Sequence, residues 1–162
     1  MRKVYVLFLA LALMLTMSCQ QKVEFDQEAD IEAEKAKVKT VLENYITSIE
    51  NEDMDLYAKV MAHVPDMVNF GTSGNPIVGW DALKKVIEDQ NAALSETKIT
   101  VTDLQIHVSE TGKLAWATSL WSFKSKIGEN PIELPVRCTW ILEKQGPDWV
   151  IAHFHKSVAT SG

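Results

Sequence analysis

The chain has 162 residues, 46% of them hydrophobic and 23% charged, which fits one compact domain on the usual scale of about 100–200 residues per domain and excludes a disordered or collagen-like chain. Sixteen Lys and Arg against 22 Asp and Glu give a net charge of −6, which argues against a nucleic-acid or anionic-membrane surface, since that needs a basic face to displace counterions. Two cysteines are too few for a disulfide scaffold.

Met1-Arg2-Lys3 is a short basic start, Val4 to Leu15 is an unbroken apolar run, and Thr16-Met17-Ser18-Cys19 closes it with a small residue before a cysteine. This reads as a secretory signal over residues 1–18, because a run of about a dozen residues is shorter than the ~20 that span a bilayer as a helix. The ending resembles a bacterial lipobox, with Leu15 and Ser18 fitting the pattern and Thr16 departing from it. That resemblance implies Cys19 as the lipid attachment site, hence an exported protein anchored on the periplasmic side or at the cell surface, touching the membrane only through its acyl chains. Cleavage removes Arg2 and Lys3 and leaves 14 basic against 22 acidic residues. Residues 19–34 follow as an acidic tether, carrying Glu24, Asp26, Glu28, Asp30, Glu32 and Glu34 with few large apolar groups, too little to offset the entropy of ordering. With Cys19 acylated, Cys138 is alone, and its neighbours Val136 and Trp140 predict a buried, inert thiol.

In the domain of residues 35–158, Val38, Val41, Leu42, Tyr45, Ile46 and Ile49 recur at three- and four-residue steps, predicting a helix over about residues 30–51. Asn51-Glu52-Asp53 offers an N-cap for a short second helix with Met54, Tyr57, Val60 and Met61 on its apolar face. Met67 to Phe70 reads as extended, residues 71–76 as turn, and Trp80, Leu83, Ile87 and Leu94 mark a third helix over residues 80–94. From Lys98 the period falls to 2. Ile99 and Val101 share one parity and Leu104, Ile106 and Val108 the other, which predicts a bulge near Thr102-Asp103. Strands follow from Lys113 to about Lys126, over residues 132–142 with Ile132, Leu134, Val136, Cys138, Trp140 and Leu142 facing the core, and from Trp149 to Val158.

Helices first and an antiparallel meander afterwards is an α+β plan. It predicts a cone-shaped α+β barrel, three N-terminal helices on a strongly curved antiparallel sheet, whose open mouth is a natural ligand pocket. In the last strand Trp149, Ile151, His153, His155 and Ser157 share one face and Val150, Ala152, Phe154 and Val158 the other. A four-residue loop from Lys144 to Pro147 sets Leu142 opposite Trp149, Trp140 opposite Ile151 and Cys138 opposite His153, which turns the histidines into the hollow. An odd-length loop would instead put Arg137 and Thr139 beside the histidines, and the even loop is favoured because it sends the apolar side of both strands inward and leaves Glu133 and Glu143 outside. Val150, Ala152 and Phe154 then lie outside with Trp121, as an apolar patch of the kind that marks an interface.

Trp149-Val-Ile-Ala-His-Phe-His-Lys-Ser157 closely resembles the ending of SnoaL-like domains, in the nuclear-transport-factor-like or ketosteroid-isomerase-like superfamily, and the end of the association domain of calcium/calmodulin-dependent kinase. Met54-Asp-Leu-Tyr57, Met67-Val-Asn-Phe-Gly-Thr72, Gly79-Trp-Asp-Ala-Leu83 and Ala115-Trp116 are weaker echoes. The resemblance spans about residues 35–158 and implies the cone fold and a homodimer paired through the sheets. It leaves the activity open, because this fold hosts many functions.

His153 and His155 stand about 6.5–7 Å apart along the strand. They suit a structural pair, a ligand-facing pair that moves protons near pH 6.5, or the start of a metal site for which His63 and His107 are not placed by spacing; no metal or cofactor is expected. Isomerase chemistry of the ketosteroid type needs a carboxylate base and an enolate-stabilising donor. Asp66, Asp103, Tyr45 and Tyr57 are the residues of those types, with His153, His155 and Asp66 the catalytic candidates. Tyr45, Tyr57, Phe70, Trp80, Trp116, Trp140, His153 and His155 are the candidate pocket lining. No phosphate loop, dinucleotide fingerprint, nucleophile elbow or Cys-x-x-Cys occurs. Two readings remain: a non-catalytic domain holding a small apolar or amphipathic molecule or a partner, which the sparse polar inventory favours, and an isomerase, dehydratase or cyclase working through His153, His155 and a carboxylate.

Overall fold

The computed structural model describes residues 30–159. The expected signal segment, Cys19 and the expected tether before Asp30 lie outside the described residues.

Helix α1 (Ile31–Glu50) starts where Asp30 accepts a hydrogen bond from the Ala33 N–H at 3.1 Å. A carboxylate there satisfies one of the free N–H groups of the first turn. The helix thus begins inside the stretch that reads as a tether. Its buried stripe is Val38, Leu42, Tyr45 and Ile49, as the periodicity predicts. Helix α2 (Met54–Val60) is capped by Asp53, which accepts from the Leu56 N–H at 2.9 Å. A two-stranded ribbon, β1 (Val68–Asn69) with β2 (Ile77–Val78), leads to helix α3 (Trp80–Ala93), which buries Leu83 and Ile87. Gly79, just before α3, has φ 83°, and a Cβ there would meet the Pro65 carbonyl oxygen at 3.0 Å. Only glycine takes that turn without strain.

Four antiparallel strands follow in the order β3 (Ser95–Val108), β4 (Leu114–Ile127), β5 (Asn130–Gln145) and β6 (Asp148–Val158). The register of β3 shifts between Thr102 and Gln105, with Asp103 at φ 53°, so the bulge sits where the parity of its apolar residues changes. In β4 and β5 the face toward the helices carries Ala115, Ala117, Trp121, Val136, Cys138, Trp140 and Leu142, all buried.

Strand β6 departs from the expected register. The hairpin loop is the two-residue Gly146-Pro147, with Gly146 at φ 62°, and it pairs Gln145 with Asp148, Lys144 with Trp149 and Leu142 with Ile151. Tight two-residue turns match strand twist better than longer loops. The pairing then slips: Leu142 faces Ile151 but Ile141 faces His153, so Ala152 is an extra residue and the chain bulges. Beyond it the parity inverts. Phe154 sits opposite Trp140 and Lys156 opposite Cys138 on the inner face, while His153 and His155 lie opposite Ile141 and Thr139 on the outer face. A bulge gives both halves of β6 an apolar inner face, Trp149 and Ile151 before it and Phe154 after it, and that burial outweighs a regular ladder.

The far edge of β6 is covered by the segment that follows α2. The Ala62 N–H donates to the Ile151 carbonyl, the Phe70 N–H to the Phe154 carbonyl and the Lys156 N–H to the Phe70 carbonyl, each at 2.9 Å. At the bulge the Phe154 N–H donates to Oδ1 of Asn69 at 2.8 Å, and Asn69 is fully buried. Near the start of the fold Glu34, 7% exposed, accepts from Lys144 Nζ at 2.8 Å, Lys37 Nζ at 2.9 Å and Trp149 Nε1 at 2.6 Å. These donors, Lys144 first, hold its carboxyl down at about 2. This carboxylate ties α1 to β5 and β6, so residue 34 belongs to the folded domain rather than to a solvated tether.

Candidate functional site

Between α3, the end of α1 and the inner faces of β4, β5 and β6 lies a cavity of about 290 Å³, near the lower end of the ~300–1,000 Å³ usual for small-molecule sites. Its walls are apolar: Ile49, Ile87, Trp121, Leu134, Val136 and Phe154 among others, with Gly71, Thr72, Ser73 and Gln90 adding polar groups. The one charged side chain among its described lining residues is Lys156.

The bulge puts Lys156 there, because its side chain now points to the same face as Phe154. Its Nζ lies 4.8 Å from the centre of the Phe154 ring, 5.0 Å from Trp121 and 5.1 Å from Tyr45. Ring faces attract a cation but do not neutralise it, and among the described residues no carboxylate or hydrogen-bond acceptor reaches this ammonium. Burial lowers its pKa to about 8, partly countered by Cys138 opposite. Cys138 is buried and its thiol is pushed up to about 12, first by desolvation, which makes it the inert thiol its apolar neighbours predict. Trp121 is 4% exposed and its indole N–H has no acceptor.

The candidates drawn from the strand pattern fall elsewhere. His153 is on the outer face with its Nδ1–H donated to the Val68 carbonyl. His155 is exposed beside it, and Phe70 packs edge-on against both rings at 5.6 and 5.4 Å. Neither imidazole lines the cavity, which corrects the inward orientation expected of an unbroken β6. Tyr45, Tyr57 and Trp140 are sealed in the core, at most 1% exposed, and burial raises both phenols above their usual range. Trp80 stacks on His63 at 4.0 Å, and Trp116 is exposed on the outer face, stacked with His107 at 5.1 Å. Asp66 is an exposed turn residue, and Asp103 stands at the β3 bulge.

The expected interface set also changes. Phe154 and Trp121 are core residues, 1% and 4% exposed, and Val150 is buried against the α1–α2 end of the fold. The large apolar groups on the outer sheet face are Leu114, Trp116, Leu120 and Ile141, with Trp116 directly opposite Ile141.

Three helices on one face of a four-stranded antiparallel sheet, with a cavity between them, define the α+β class of the nuclear transport factor 2-like (NTF2-like) proteins. A profile of the SnoaL-like domain matches residues 38–161, and the chain belongs to that family. Its structure is similar to an NTF2-like superfamily protein from Salmonella enterica serovar Typhimurium, with a TM-score of 0.72 at 20% identity over 81% of this chain and 95% of the other. It is similar as well to an NTF2-like protein of unknown function from Pseudomonas putida, with a TM-score of 0.68 at 19% identity over 80% and 89% of the two chains. A ketosteroid isomerase-like protein from Erwinia carotovora atroseptica gives 0.65 at 16% identity over 79% and 98%. No curated protein matches the sequence. At these identities the likeness is one of fold.

Proposed function

We propose that this chain is an exported, lipid-anchored binding protein whose inner cavity holds a small, mostly apolar molecule without transforming it. The observation that carries the reading is the cavity wall: apolar, backed by packed helices and strands, and bordered among the described residues by no carboxylate and no histidine. Proton transfer of the isomerase type needs such a base within hydrogen-bond reach of the substrate. With both imidazoles on the outer face, His153 and His155 do not supply it. The basic start, apolar run and Cys19 support the anchor.

Native mass spectrometry of the chain recovered from its producing cells tests the binding. A defined small-molecule mass released on activation is the expected result, and an empty protein throughout opposes it. Cys19→Ala should move the protein from the membrane fraction to the soluble one. We further propose a homodimer paired through the outer face of the sheet, where Leu114, Trp116, Leu120 and Ile141 are exposed together on one face, a grouping of the kind that marks an interface.

A further inference from the structure

We infer that Lys156 is the anchor for a carboxylate, and that the occupant of the cavity is an amphipathic monocarboxylate whose apolar part lies against Ile87, Leu134, Val136 and Phe154. This deepens the binding role proposed above and rests on it.

Two independent observations point to an anion rather than to a neutral guest. The first is the uncompensated ammonium. The other inward-facing charge with a shifted titration among the described residues, Glu34, has its counter-charges in the chain, Lys37 and Lys144, whereas the half-buried Lys156 borders the cavity with ring faces alone around it. A buried charge without a partner is costly, and a partner brought by a ligand removes that cost. The second is Trp121, whose buried N–H lacks an acceptor while its ring borders the same cavity and lies under the same ammonium. Ammonium and indole N–H are both donors and neither accepts. A carboxylate is acceptor-only and offers two oxygens, so it supplies what this corner of the cavity lacks.

The rest of the ligand follows from the walls. The aliphatic side chains of α3 and β5 and the ring of Phe154 present no charge, so a second charged group would meet nothing to pair with and the molecule carries one. The volume of about 290 Å³ sets a limit of small size, a short fatty acid or an aryl-alkanoic acid rather than a lipid with two chains. The recognition is non-covalent: no bond forms or breaks, and the ammonium keeps its proton.

Calorimetry on the full chain tests this with 4-phenylbutyrate and octanoate against 4-phenylbutan-1-ol and octan-1-ol, pairs matched in length and differing in the headgroup. Each acid should bind about tenfold or more tightly than its alcohol, the scale of one hydrogen bond to a charged group. Lys156→Met should abolish that preference while still binding the alcohols, which shows that the cavity survives the change, and Lys156→Arg should keep a preference for the acids. Equal binding of acids and alcohols to the unaltered chain, or an acid preference that persists in Lys156→Met, overturns the anchor and leaves the cavity reading standing. Binding of neither kind overturns both.

Discussion

Glu34 and Lys156 are both charges drawn into the fold, and the chain treats them in opposite ways. Around Glu34 the chain converges three donors from one helix and two strands; around Lys156 it places ring faces and an opening. The contrast separates a charge that holds elements together from one that is held available. Removing the first should cost stability and removing the second should add it.

The largest expected effect is at Glu34. Glu34→Ala orphans the Trp149 N–H and two lysines, of which Lys37 still reaches water. It should lower unfolding free energy by about 2–3 kcal/mol, the cost of stranded buried donors discounted for that exposure, measured by urea titration. Because its folded pKa is depressed to about 2 from the ordinary 4.5, the contribution is present above pH 4.5 and is lost as pH falls toward 2. The mutant and parent curves should therefore converge in acid.

Lys156→Met should shift stability the other way, by about 1–3 kcal/mol at pH 7, since an apolar side chain of similar length replaces an unpaired charge. Its folded pKa of about 8 lies below the ordinary 10.5. The folded chain thus binds fewer protons than the unfolded one between those values, and the parent gains stability as pH rises through that window. Tyr45 from α1 and Cys138 from β5 are the titratable groups facing Lys156, and burial raises both, so they stay neutral up to about pH 10. The advantage of the mutant should shrink at pH 10. An unchanged advantage would mean that the amine titrates alike in the folded and the unfolded chain.

Asn69→Ala takes the acceptor from the Phe154 N–H at the bulge and should cost about 1–2 kcal/mol, read by thermal unfolding. The smallest change in stability is expected on the outer face. Trp116→Ser should fall within about 0.5 kcal/mol, as exposed positions do, yet convert a dimer to monomer in light-scattering chromatography. A monomeric parent would remove the outer-face dimer.

The bulge in β3 and the bulge in β6 show how far the pattern of letters carries. In β3 the apolar parity changes from Ile99 and Val101 to Leu104, Ile106 and Val108, and the strand bulges between. The same signal is present in β6, where Trp149 and Ile151 give way to Phe154 and Val158. There it also admits an unbroken strand with two apolar faces, one of them an interface, and in that reading the histidines point inward. Burial of Phe154 against Tyr45 and Trp140 decides between them, a tertiary contact that periodicity within one strand does not contain. The helices, the cap of α2, the antiparallel meander and the inner face of β5 are legible because each is written in a local pattern. Lys156 is not: a lysine ordinarily stands in water, and the one clue to its inward place is its parity with Phe154.

Ala152 also bears on how members of this family are to be compared. Deleting that single residue would close the bulge and leave a regular ladder with the same faces, whereas an unbulged strand that keeps it would turn the terminal segment by half a turn, withdrawing the amine from the interior and presenting the imidazoles in its stead. Two homologues spelling the same His-Phe-His can then carry different chemistries, depending on whether their strands bulge just upstream, and an alignment that ignores the bulge would assign one protein's interior to the other's surface.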